Sequence, residues 1–157
     1  MPSRKKSSGK KTSLPHFSLW HFLICIALFI ILLIMDQLTK RYFLASQHAV
    51  DFSWLSFHLV KNTGASFGMF KAYGTVLLWL SVVVLAGLII YFPRARFPEK
   101  LALSFIAAGL VGNLLNRIML GYVIDFIDLK FWPVFNIADS AIFVGVVGLG
   151  IVWLRKK

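Results

Sequence analysis

The sequence predicts an all-α polytopic membrane protein: four transmembrane helices, with a small β-rich cradle on the outer face between the first and second. Three observations carry that reading. Of the 157 residues, 59% are hydrophobic and 15% charged, with a mean hydropathy of +0.79, far more apolar than an ordinary soluble domain. Four apolar stretches, at about 17–35, 73–92, 101–120 and 136–154, are each near the ~20 residues that a helix needs to cross ~30 Å of hydrocarbon. The basic residues, finally, collect in short runs at the termini and in one loop, as topology signals do.

The first stretch, "FSLWHFLICIALFIILLIM", follows the basic segment "MPSRKKSSGKKTS", as the core of a secretory signal would. Its apolar run exceeds the ~7–15 residues of such a core, and polar "DQLTK" stands where a small-residue cleavage site would be needed. A retained helix ending at Asp36 is expected. Cys25, the single cysteine, can form no intramolecular disulfide and reads as a small buried hydrophobe. The next loop, "VDFSWLSFHLVKNTGASFGMF", mixes aromatic and β-branched residues with partial alternation, which suits a strand hairpin at the membrane surface with Trp54, Phe57, Phe67 and Phe70 as anchors. Gly109 and Gly112 in the third stretch read as close-packing positions. No repeat or linker divides the chain, so residues 1–16 are expected as a basic cytoplasmic tail and 17–157 as a single four-helix domain, a monomer in contact with membrane lipid.

Counting Lys and Arg orients the helices. The N-terminal segment holds Arg4, Lys5, Lys6, Lys10 and Lys11, the loop "PRARFPEK" holds Arg94, Arg96 and Lys100, and the C-terminus holds Arg155, Lys156 and Lys157. The other two connections carry only Lys40, Arg41, Lys61, Lys71 and Lys130. Both termini are therefore expected in the cytoplasm, with residues 36–72 and 121–135 outside. The same clustering accounts for the net charge of +11 without a nucleic-acid partner.

Only six acidic residues occur, and on this map five of them, Asp36, Asp51, Asp125, Asp128 and Asp139, gather at the outer ends of helices, while Glu99 alone lies inside. Helical spacing adds Asn113, Asn116 and Arg117 on one face of the third helix and Asn136, Asp139 and Ser140 at the start of the fourth. Each has an ordinary structural reading: Asp139 as a compensator of free helix N–H groups, Asn and Arg as interhelical or interfacial groups, Asp36 and Lys40 as an ion pair at a membrane boundary. Those readings do not account for all of them converging on one leaflet.

The familiar nucleophiles and metal sets do not fit. His48 and His58 have no second ligand pair at metal spacing and there is no H-E-x-x-H, so neither a metal nor another cofactor is expected. Ser66 and Ser140 have no histidine partner. Two aspartates at one depth leave another chemistry: carboxylates within ~3 Å share one proton, one acting as base toward water and the other as acid toward a carbonyl oxygen. Spacing alone does not separate Asp125 from Asp128 as the partner of Asp139.

The motifs "DQLTK" (36–40), "KNTGASFG" (61–68), "GNLLNR" (112–117), "GYVIDFID" (121–128) and "PVFNIADSAI" (133–142) follow one another along most of the chain. In this order they resemble the lipoprotein signal peptidase family (signal peptidase II), bacterial inner-membrane aspartic peptidases. The resemblance implies that Asp125 and Asp139 are the catalytic pair, with Asp128 secondary. It implies that Asn62 and Gly64 line the substrate groove, that Asn113, Arg117 and Asn136 surround the pair, and that Asp36 and Lys40 are structural. Its substrates would be diacylglyceryl-modified prolipoproteins, cut before the lipidated cysteine at the outer leaflet. Position 116 is Asn where the family pattern has Asp, although Asn can still hydrogen-bond Arg117, and the connection from "DFID" to "PVFN" is compact. The competing classes are a small proton- or ion-coupled transporter using the same carboxylates, against which no inverted repeat or broken helix pair appears, and a non-catalytic assembly factor.

Overall fold

The structure, a computed structural model, describes residues 19–64 and 71–156. The elements run α1 (Leu19–Ser46), β1 (Val50–Asp51), β2 (Ser56–Asn62), α2 (Lys71–Tyr91), α3 (Phe97–Leu120), β3 (Val123–Asp128) and α4 (Ile137–Leu154). All four helices are long and apolar enough to cross a membrane, and the chain is a multi-pass membrane protein. The basic tail of residues 1–16, Ser66, Phe67 and Phe70 lie outside the described residues.

The expected end of the first helix at Asp36 is wrong. α1 continues through "DQLTKRYFLAS" to Ser46, and its 28 residues make a rod of about 42 Å at ~1.5 Å per residue, longer than the hydrocarbon layer. Polarity misleads here because Asp36 and Lys40, one helical turn apart, face the interior and satisfy one another at 2.8 Å, both only 1% exposed. The last turns of α1 carry Phe43, whose ring stacks on Phe126 of β3 at 4.5 Å and on Phe57 of β2 at 6.4 Å. The extension is the mount for the sheet.

α3 is the central helix and holds more of the buried residues than any other element. Its N-terminus starts after Arg96, with Pro98 in the first turn, where a missing N–H costs nothing. Its C-terminus closes on Gly121 at φ +79°, a left-handed cap that favours glycine. Glycines fuse α3 to α4: a Cβ on Gly109 would stand 2.2 Å from the Ala138 carbonyl oxygen, and one on Gly145 would stand 2.7 Å from the Ala102 carbonyl oxygen. At the end away from the sheet, Lys156 pairs with Glu99, which is 1% exposed and also accepts from the Arg96 N–H at 2.8 Å. Among the described side chains of α2, by contrast, only Ser81 is buried. Gly109→Ala should therefore force α3 and α4 apart, lowering the midpoint of thermal unfolding in detergent by the equivalent of about 1–3 kcal/mol, whereas Gly87→Ala, with open space around it, should leave that midpoint unchanged or raise it.

The expected hairpin between α1 and α2 is present as β1 and β2, antiparallel with Val50 opposite Phe57. A third strand, not anticipated, completes the sheet in the order β1-β2-β3. It comes from the α3–α4 connection and pairs antiparallel to β2, with Val60 opposite Asp125 and Asn62 opposite Val123. The chain then doubles back, Phe135 exchanging backbone hydrogen bonds with Ile127 at 3.0 and 2.9 Å. The sheet thus spans both connections at this end of the bundle and carries Asp125 to the mouth of α4. Trp54 is exposed, as an interfacial anchor would be, while Phe57 is partly covered by Phe43.

Candidate active site

Asn136 organises the site. It is the N-cap of α4, its side-chain oxygen accepting the Asp139 N–H at 2.9 Å while its own backbone N–H donates to Asp139 Oδ2 at 3.2 Å, a reciprocal arrangement that satisfies free donors of the first turn. The same residue's amide nitrogen donates to Asp125 Oδ1 at 2.7 Å, with the Ile124 carbonyl at 3.2 Å and Asn113 Oδ1 at 3.1 Å also in reach. Fully buried Asn136 therefore ties the carboxylate on β3 to the carboxylate on α4. The two arrive from different elements: Asp125 by strand register, Asp139 by the cap geometry of a helix start.

Each carboxylate has a second amide. Asn62, at the end of β2, donates to Asp125 Oδ2 at 2.8 Å and is itself held by the Gly64 N–H on its side-chain oxygen at 2.8 Å. That turn requires φ +79° at Gly64, the left-handed region where glycine is unstrained. Asn113 of α3 donates to Asp139 Oδ1 at 2.7 Å, and its oxygen accepts from Lys40 Nζ at 2.9 Å. Lys40 is neutralised by Asp36, whose other oxygen accepts the Ala138 N–H at 2.9 Å. Asp36 thus grips both α1 and the first turn of α4, and α3 lets it in because Gly112 has no side chain; a Cβ there would come 2.5 Å from Asp36 Oδ2.

Asp125 is 1% exposed, and this burial pushes its carboxyl up to about 6. The Asn62 and Asn136 amides pull it back, and the nearby Asp139 charge pushes it further up. Asp128 does not join the pair. An odd number of residues from Asp125, it faces the other way along β3 and accepts from the Lys130 N–H at 2.7 Å and from Ser56 Oγ at 3.2 Å. The Lys130 N–H foremost, with Ser56 and the Lys130 charge, holds its carboxyl below the usual range.

Asn116 corrects another expectation. It makes no hydrogen bond to Arg117 among the described residues; its oxygen accepts the Ile124 N–H at 3.4 Å, so it supports the start of β3 from behind. Arg117 instead stands with Asn113 and Asp139 on the wall of a cavity of about 350 Å3 between α2, α3 and α4. That cavity runs from Asp139 past Ile142 and Val146 and is otherwise mostly apolar. No group of three or more His, Cys, Asp or Glu able to hold a metal occurs among the described residues.

Residues 28–155 match the family described as signal peptidase (SPase) II. The chain belongs to the signal peptidase II family. The lipoprotein signal peptidase of Thermodesulfovibrio yellowstonii is 42% identical over 130 residues, covering 78% of this chain and 88% of that protein. That of Caldanaerobacter subterraneus subsp. tengcongensis is 38% identical over 145 residues, covering 85% and 96%. Two solved structures titled as bacterial membrane enzymes, at 1.9 and 2.3 Å, superpose with TM-scores of 0.79 and 0.76 at 27% and 28% identity, covering 85% and 84% of this chain and 94% and 88% of theirs. This signal peptidase II is accordingly a hydrolase of the membrane, and the transporter alternative finds no support among these relatives.

Proposed function

We propose that this chain is an intramembrane aspartic endopeptidase that removes the signal peptide from diacylglyceryl-modified prolipoproteins by cutting before the lipidated cysteine. The observation that carries the reading is Asn136 holding Asp125 and Asp139 together at the head of the apolar cavity between α2, α3 and α4. Asp125 and Asp139 share one proton. The ionised partner takes a proton from water as its oxygen adds to the scissile carbonyl, and the protonated partner supplies one toward the carbonyl oxygen. Collapse breaks the C–N bond, and the cysteine amine leaves with the proton recovered from the pair. Asn62, Asn113 and Asn136 position the two carboxylates, Gly64 shapes the groove beside Asn62, Arg117 faces the substrate path, and Asp36 and Lys40 brace the arrangement. The distribution of Lys and Arg supports a site at the outer leaflet of the bacterial cytoplasmic membrane, with both termini inside.

The test is cleavage of a diacylglyceryl-modified precursor by the purified protein in detergent, followed by release of the signal peptide. Absence of product from a precursor that a lipoprotein signal peptidase of a relative accepts contradicts the reading. The pH profile has a defined sign. Below about 6 Asp125 keeps its proton and can serve as the acid, while above it Asp125 is ionised and that acid is lost. The value belongs to the pair as a whole. In kcat/KM this gives an alkaline limb that begins near pH 6. A profile flat through that region contradicts the shared proton.

A further inference from the structure

A small cavity of about 120 Å3 lies where α1, α3 and the start of β3 meet, with Gln37, Lys40 and Arg41, Asn116 and Met119, and Ile124 in its wall. Neither Asp125 nor Asp139 lines it, and it shares no residue with the cavity between α2, α3 and α4. Two donors there are unanswered. Asn116 is 5% exposed and its oxygen accepts the Ile124 N–H, but its amide nitrogen has no hydrogen bond among the described residues, a costly state for a buried donor. No described polar side-chain atom is both sealed and unpaired, so that nitrogen opens onto the cavity. Arg41 is exposed, with no ion pair or hydrogen bond among the described residues. The acids of this end are committed elsewhere, Asp36 to Lys40, and Asp51 and Asp128 to Lys130.

We propose that this cavity holds the phosphate of an anionic phospholipid of the surrounding bilayer, with Arg41 and the Asn116 amide donating to its oxygens. A guanidinium supplies charge and a fork of N–H donors that matches phosphate oxygens, and the amide supplies a neutral donor in need of an acceptor. The Lys40 ammonium already serves Asp36 and Asn113, so the net attraction on an anion comes from Arg41. The bilayer decides the source of the phosphate. α1 outruns the hydrocarbon layer, and the sheet mounted on its last turns places Arg41 near the headgroups. Below Arg41 on the same face of α1, Leu38 and Ile34 are 60% and 50% exposed, and Met119 on the α3 wall is 70% exposed. A ligand seated here has its anionic head at Arg41 and apolar chains running along α1, as a phospholipid does and free phosphate does not. It bridges α1, α3 and β3 away from the cavity beneath Asp139, and the assignment is independent of the peptidase reading.

The experiment follows the midpoint of thermal unfolding of the purified, delipidated protein in detergent as dioleoylphosphatidylglycerol, dioleoylphosphatidylcholine or inorganic phosphate is added, since a ligand of the folded state raises that midpoint as it binds. Wild type is expected to rise saturably with phosphatidylglycerol and to respond little to the other two. Arg41→Gln, at an exposed position, should weaken the apparent affinity for phosphatidylglycerol about tenfold or more. Asn116→Asp keeps an oxygen for the Ile124 N–H but sets a negative charge in the cavity, and should abolish the response; Arg41→Gln carries the test by itself where that variant does not fold. Lys61→Gln removes a positive charge from β2, outside the cavity wall, and should leave the response intact. Inorganic phosphate acting as strongly as phosphatidylglycerol makes the occupant a free anion, and phosphatidylcholine acting as strongly makes the binding unselective. A response that survives Arg41→Gln, or is weakened equally by Lys61→Gln, places the lipid elsewhere. Each of these overturns the proposal, as does a wild type that phosphatidylglycerol leaves unmoved.

Discussion

Asp125→Asn and Asp139→Asn are each expected to lower kcat by about 1,000-fold or more, the scale of losing a positioned acid or base together with the water it activates. Asn keeps the volume and one acceptor oxygen at either position, so Asn136 can still bond both residues and the folded state should persist. On the peptidase reading proposed above, what is lost is the shared proton. Because the carboxylates act as a unit, the double variant should be no slower than the worse of the two singles. Asp128→Asn, on the other face of β3 and tied to Ser56 and Lys130, should retain activity within a few-fold. Thermal unfolding and signal-peptide release measured on the same preparations check all four. Near-normal rates in either single variant of the pair remove the dyad as the catalyst.

Lys40→Met is expected to have the largest effect on stability. Its ammonium is buried with Asp36, and the removal of one member of such a pair strands the other's charge at a cost of about 3–5 kcal/mol. Asp36 would be left with Gln37 and the Ala138 N–H. The change also reaches the site. Lys40 can only donate, so it turns the Asn113 oxygen toward itself and the Asn113 NH2 toward Asp139. Without it that amide is free to rotate. Combining Lys40→Met with Asp36→Asn removes the stranded charge and should recover much of the thermal midpoint without recovering kcat. A Lys40→Met protein with wild-type midpoint and rate would contradict both roles.

Much of this was legible in the chain because the bilayer simplifies the problem. Four apolar runs had to be helices, and Asp125, Asn136 and Asp139 stand in motifs whose order is distinctive. Two features were not legible for physical reasons. α1 does not stop at Asp36, since a polar residue ends a membrane helix only where its side chain needs water, and Asp36 finds Lys40, Gln37 and Ala138 instead. β3 was hidden because "VIDFID" is only six residues long and shows no alternation, its first four residues all being buried, and its partner strand lies 61 or more positions earlier; its β-branched and aromatic residues were the available signal. Asn116 shows the limit of helical spacing, which places residues on a face without saying which neighbour fills it. Its partner is the backbone of Ile124.

The glycine contacts between α3 and α4 have a mechanical corollary. Carbonyl oxygens of Ala102 and Ala138 occupy the places where Cβ atoms would be, and Lys156 fastens the far end to Glu99. These helices behave as one welded plate, unable to slide or separate without breaking contacts at several heights. α2 has only Ser81 buried among its described side chains, and the groove beneath Asp139 lies between it and the plate. The asymmetry has a direction: Asn113, Asn136 and Asp139 are carried by the plate, and α2, the opposite wall of the groove, is the side with the least side-chain burial.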